Sequence, residues 1–290
     1  MNENEASKNV RQPKPLTGSS MFLAMFLHYL LVVASLALGM LLFEVYRRTD
    51  LQQTFPFLGR RNTIFLFLPL SDLAAIYLFI GLVDSRERGR KDSGLYWPQS
   101  KRTWFEAPAI LAAGIAAEWA LRDCLLALGR PSGFSSEFLS SAARLGGENM
   151  MGPISAQPGS YHLLILLHAV VALIARELCF RGIGLAGFLN TGSAARAVFC
   201  TSIFSVLPMA WLRTATLEAG TTGRAICGSA TAWNSVFLFL YAALPLLIPA
   251  VVLATIRLRT GSLYCVIVAG IVRMLLFSHS EPLLRLLSSF

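Results

Sequence analysis

The chain has 290 residues, of which 55% are hydrophobic and 14% charged, and a formal net charge of +9. Soluble domains carry about 25% charged residues. With a mean hydropathy of +0.59, the composition excludes an ordinary soluble domain and predicts an all-α integral membrane protein. In such a chain Lys and Arg gather in short loops and set orientation, so the basic balance does not point to nucleic acid. The cluster Arg86, Arg88, Arg90, Lys91, Lys101 and Arg102 could instead touch anionic lipid heads.

A membrane-spanning helix needs about 20 mostly apolar residues, and about seven such stretches with their loops fill the chain. The expected organisation is a polar tail over residues 1–18, then one polytopic transmembrane domain over residues 19–290. The apolar run 21–43 is too long for the core of a cleavable signal and reads as the first membrane helix, over about 20–46. The second is expected over 63–83, ahead of the charged loop. The third, over 104–128, is the least apolar, with Glu106, Glu118, Arg122 and Asp123. Its small residues Ala112, Ala113, Gly114, Ala116 and Ala117 suit close helix approach.

A long loop follows over 129–159, with a short amphipathic helix expected at 136–145 on the membrane surface. The fourth helix is expected over 161–189 and the fifth over 194–212. A polar loop at 213–229 comes next. The sixth helix, over 232–258, contains Pro245 and Pro249, where neighbours must satisfy the freed carbonyls. The seventh is expected over 262–277. The balance of Lys and Arg between loops favours a cytoplasmic N-terminus, although Arg47, Arg48, Arg60 and Arg61 argue the other way.

Ionisable groups at membrane depth are costly, so they tend to be paired and functional. The fourth helix holds the densest set, Arg176, Glu177 and Arg181. Glu177 and Arg181 are four apart and share a helix face. Glu118 and Arg122 repeat that spacing in the third helix, and Arg273 stands alone in the seventh. Spacing admits two readings: a buried ion-pair network joining the third, fourth and seventh helices, or an active site. The histidines give the second little help. His168 lies nine residues before Glu177, on the opposite side of the helix. His162 is about 22 Å away along the axis, and His28 and His279 lie on other helices. No pair has metal-ligand spacing, so neither metal nor cofactor is expected. The five cysteines, Cys124, Cys179, Cys200, Cys227 and Cys265, include no CxxC pair, which implies neither zinc nor a disulfide framework. Glu177 is the only candidate base, and Arg181 beside it argues against that role.

The stretch Arg176-Glu177-Leu178-Cys179-Phe180-Arg181-Gly182 resembles the first motif, Glu-Glu-x-x-x-Arg, of the CPBP family of CAAX-processing and bacteriocin-processing intramembrane proteases, the Abi proteins. The stretch Arg259-Thr260-Gly261-Ser262-Leu263-Tyr264 is similar to the approach to its last motif. The resemblance spans a core of about 160–280. It implies a helical membrane fold with a polar site between the motif-bearing helices, and residence in a bacterial cytoplasmic (inner) membrane. Glu177 and Arg181 match the catalytic motif. The first glutamate of that motif falls on Arg176. The histidine of the second motif falls on Pro208, and the histidine and asparagine of the third fall on Gly270 and Met274. Arginine is not a base near neutral pH, and these replacements remove the hydrolytic chemistry. Glu177 and Arg181 then become structural positions. A second resemblance, Cys227 followed by Arg273, is similar to the Cys…Arg order of exosortase-like transpeptidases, which would need His279 as the base.

The function expected from this reading is a catalytically inactive CPBP-like membrane protein, an accessory or scaffold subunit that binds another integral membrane protein and membrane lipids. The alternatives are an active protease of the family with a rearranged site, and a transporter or channel.

Overall fold

The computed structural model describes residues 16–49, 60–85, 89–98, 100–129, 159–220 and 232–278, and among them every regular element is helical. In chain order these are α1 (Gly18–Arg48), α2 (Arg60–Asp84), α3 (Gly89–Ser93), α4 (Thr103–Gly129), α5 (Gly159–Glu177), a π-helical turn (Leu178–Gly184), α6 (Leu185–Leu189), α7 (Ala194–Gly220), α8 (Ala232–Thr260) and α9 (Leu263–Ser278). The all-α class follows from the long apolar runs, and most helix ends fall within three residues of their expected places. One does not: α7 continues to Gly220, through the first part of the expected 213–229 loop. The polar stretch 213–219 holds neither Gly nor Pro, so nothing in it breaks a helix, and polarity alone is no loop signal. The short α3 in the basic loop was not expected either. The amphipathic helix expected at 136–145 lies outside the described residues.

The helices pack in a ring. α1 lies on α2, α2 on α5, α5 on α9, α4 on α8, and α8 on α7, while α9 also touches α4 and α8. The π-helical turn sits in the middle and touches α1, α2, α3, α7, α8 and α9. All seven of its residues are buried. Met21, Phe79, Ile183, Ile256, Leu263 and Val266 form the core around it.

Two sets of contacts fix the ends of the bundle. At one, Asn190 Nδ2 donates to the Leu16 carbonyl at 3.0 Å, and α6 presses against the start of α1. Gly187 makes that approach possible, because a Cβ there would lie 2.5 Å from the Thr17 carbonyl oxygen. At the other, the Arg257 guanidinium donates to the Asp92 carbonyl at 2.8 Å and to the Gly261 carbonyl. The Leu263 N–H reaches the Gly94 carbonyl at 2.8 Å, and Ser262 Oγ reaches the Tyr96 carbonyl at 2.7 Å. Gly94 has φ +74°, and a Cβ there would run into the Arg257 guanidinium. Nearby, Arg90 donates to both carboxylate oxygens of Asp84, at 2.6 and 2.8 Å. That hydrogen bonding holds the Asp84 carboxyl below its usual range.

The surface is inverted relative to a soluble protein. Phe26 is 63% exposed, Val33 62% and Phe105 79%, whereas Glu177 is fully buried and Glu118 is 1% exposed. Among the described residues, Gly18–Tyr46 and Ala243–Thr260 are long and apolar enough to cross a membrane. Ala194–Pro208 and Leu263–Leu276 are apolar but shorter.

Two glycine substitutions should act in opposite directions. Gly187→Ala forces α6 off the start of α1 and should lower stability by about 1–3 kcal/mol, as overpacking does. Gly81→Ala meets no atom within 4 Å and should be neutral or stabilising by up to about 1 kcal/mol. Thermal melts of both variants in one detergent check the pair.

Candidate functional site

The Glu177 and Arg181 pair straddles the start of the π-helical turn. The Leu185 N–H bonds back five residues to the Phe180 carbonyl, one residue wider than an α-helix, and such turns recur at functional sites. Both side chains lie inside the bundle, Arg181 being 2% exposed. Arg181 Nε stands 3.3 Å from Glu177 Oε2, and Arg176 Nε stands 3.4 Å from Oε1. The carboxylate is therefore flanked by two guanidinium groups. Arg181 Nη2 also donates across to the Ala250 carbonyl of α8 at 3.1 Å, bracing α5 against α8. The cluster remains short of hydrogen bonds. Both Glu177 oxygens, Arg181 Nε and Nη1, and Arg176 Nε are buried without a hydrogen-bond partner. Leaving a buried polar atom unsatisfied costs about 1–3 kcal/mol, more for a charged group, and such atoms call for an explanation.

Arg273 does not stand alone. Its Nη2 and Nε donate to the two oxygens of Glu118 at 2.6 and 3.0 Å, a bidentate pair joining α9 to α4. Glu118 shares a helix face with Arg122 by spacing, and its carboxylate reaches across to Arg273 of α9. The Arg122 side chain lies outside the described residues. The two ion-pair groups converge on one cavity of about 30 Å³, lined by Arg176, Arg181, Arg273, Ser205, Pro249 and Ala250 among others. That is room for about two water molecules. In place of one network there are two ion-pair groups, Glu177 with Arg176 and Arg181, and Glu118 with Arg273, and the arginines of both line this cavity.

Sequence reasoning missed Asp72. It is 3% exposed on α2, with Oδ2 3.2 Å from Nδ1 of His168 on α5. A lone acid inside the apolar run of α2 was the available signal. His168 does face away from Glu177 as its spacing required, and that side of α5 meets α2.

The positions aligned with the CPBP motifs hold packing groups. The Phe204 ring stacks parallel to Phe188 at 6.3 Å and meets Phe22 edge-on at 5.2 Å. Pro208 lies inside α7. Gly270 faces Leu173 of α5 so closely that a Cβ would sit 3.1 Å from its methyl carbon. An imidazole at 270 would displace Leu173. The Glu177 carboxylate stands between two arginines, and among the described residues no three His, Cys, Asp or Glu side chains gather as a metal site. Cys227 and His279, on which the exosortase-like resemblance depends, lie outside the described residues. No protein-family model, no curated protein and no solved structure matches the chain.

Removing one partner of a buried ion pair costs more than the pair contributes. Glu118→Ala should lower stability by about 3–5 kcal/mol, and Glu118→Leu combined with Arg273→Met should recover most of that loss. Equal melting temperatures for wild type and Glu118→Ala would show that the α4 to α9 pair has no such role.

Proposed function

We propose that the chain is a polytopic protein of about seven membrane-spanning helices, CPBP-like in its 160–280 core, resident in a bacterial cytoplasmic membrane. It acts there without catalysis, as an accessory or scaffold subunit for another membrane protein. The observation that carries this reading is the inverted distribution of side chains, with carboxylates and guanidiniums inside and Phe, Leu and Val outside. In water that arrangement would expose far more contiguous apolar surface than monomeric proteins carry. In lipid it is the expected one, because intramembrane charges face the bundle interior and pair there.

The inactive part of the reading is supported by the groups around Glu177, which are arginines, a serine and apolar side chains. The partner part is supported by the outer face of α4. Ala109, Ala112, Ala113, Ala116, Ala117 and Ala120 are all exposed, and their spacing of three and four puts them in one stripe along the helix. Small residues in such a stripe let a second helix backbone come close. Gly114, on the other side, is used inside the molecule, where a Cβ would collide with Val252 of α8.

The test is extraction of the tagged chain from its native membrane in mild detergent, with native mass for stoichiometry. The expected result is a membrane protein in fixed ratio, lost when Ala116→Trp blocks the stripe while the melting temperature of the isolated chain stays within about 1 °C. An active protease would instead cleave peptide in a manner abolished by Glu177→Ala. Such cleavage, or a clean monomer from the native membrane, would reject the accessory-subunit reading.

A further inference from the structure

We infer that the groove between α4 and α9 seats one acyl chain of an anionic phospholipid, with its headgroup over Lys91 and Lys101. The groove has a volume of about 200 Å³, and its walls include Ala107 and Leu111 of α4 and Cys265, Ala269 and Val272 of α9. Leu111 and Ala269 are buried, while Val268 at the rim is 56% exposed. An apolar space of this kind does not hold ordered water, so its occupant is apolar. The lining residues run over 103–111 of α4 and 264–272 of α9, about 12 Å of each helix at 1.5 Å per residue. One leaflet contributes about 15 Å of hydrocarbon, half of the core. A chain entering at the start of both helices therefore runs along the groove through most of one leaflet. Beyond Val272 the two helices are tied by Arg273 and Glu118, which sets the deep end.

The mouth carries the groups of a membrane interface. Trp97, Trp104 and Tyr264 line it, with ring centroids 5.8 Å apart for Trp97 and Trp104 and 5.7 Å for Trp97 and Tyr264. Trp and Tyr gather at headgroup level in membrane proteins. Lys101 sits in the turn that opens α4, its carbonyl accepting the Trp104 N–H at 3.2 Å. Lys91 sits in α3, whose following residue Gly94 accepts the Leu263 N–H at the start of α9. Both lysines are exposed. Their neighbours Arg90 and Arg102 are held by Asp84 and Glu106, and the half-buried Asp92 is the remaining described acid of this segment. Basic residues at the membrane surface attract anionic headgroups, so charge selects the lipid while the groove holds its chain. The site rests on the membrane-spanning part of the proposed function and is independent of the accessory-subunit part.

The experiment uses the full chain, delipidated in an uncharged detergent, with dioleoyl phosphatidylglycerol or dioleoyl phosphatidylcholine added back. Native mass spectrometry should show one phosphatidylglycerol retained per chain. Cys265 lines the groove, so its alkylation by N-ethylmaleimide, read on its own peptide, should slow as that lipid saturates. Alkylation of the exposed Cys124 should not change. Phosphatidylcholine should need a concentration higher by about five-fold or more for the same shielding, and Lys101→Gln should weaken phosphatidylglycerol by about five-fold. Ala107→Phe should fill the groove and abolish the retained lipid; if that variant does not fold, the two lipids on the wild-type chain decide. Equal shielding by both lipids, or none by either, overturns the proposal. So does a co-purifying membrane protein that alone shields Cys265, which would put a helix in the groove. An alkaline carbonate wash of the starting membranes reports on the membrane reading separately. A chain that stays in the pellet but shows no shielding rejects the lipid site alone, whereas a chain that washes off rejects the membrane-spanning reading and the site with it.

Discussion

Taking a carboxylate and a guanidinium out of water costs several kcal/mol per ion, and only close, well-placed partners offset it. Glu177 and Arg181 are both inside this bundle, so the elements around them must supply those partners. The π-helical turn starts between the two residues and packs against six other helices. Arg176 comes from the end of α5 and the Ala250 carbonyl from α8. A shift of α8 would strip Arg181 of its backbone acceptor, and a shift of α5 would separate the carboxylate from one arginine. The second ion pair, Glu118 with Arg273, ties α4 to α9 in the same way. Charge pairing therefore restricts how α5 sits against α8 and α4 against α9, and apolar packing fills what lies between.

The same constraint shapes the surroundings of Glu177. Arginines flank its carboxylate on both sides, and a cavity of about 30 Å³ is lined by Arg176, Arg181, Arg273 and Ser205 among others. Arg181 meets both the carboxylate and the Ala250 carbonyl, so one side chain joins the end of α5 to α8.

The outside of the molecule is separated from this interior. The α4 stripe of alanines faces outward, while Gly114 on the opposite side of α4 is taken up by Val252. One helix thus serves two surfaces, the inner one carrying Glu118 toward Arg273 and the outer one smooth enough for another helix.

The lengths of the apolar runs were enough to place the long helices and the all-α class, because a helix is a local object set by consecutive residues and their hydrogen bonds. The Glu177 and Arg181 pair was legible for the same reason, since four residues bring two side chains to one face. Polar composition misled at 213–219, where a helix persists because nothing breaks it. Which cation meets Glu118 could not be read, because Arg122 and Arg273 were both available and only the rotation of α4 against α9 brings Arg273 within 2.6 Å. Asp72 finding His168, and the cavity where three arginines meet, depend likewise on how helices far apart in sequence cross. The sequence by itself determined the helices and the charges they would bury. The tertiary structure alone decided how those charges pair, because pairing requires distances of about 3 Å between residues that no local rule relates.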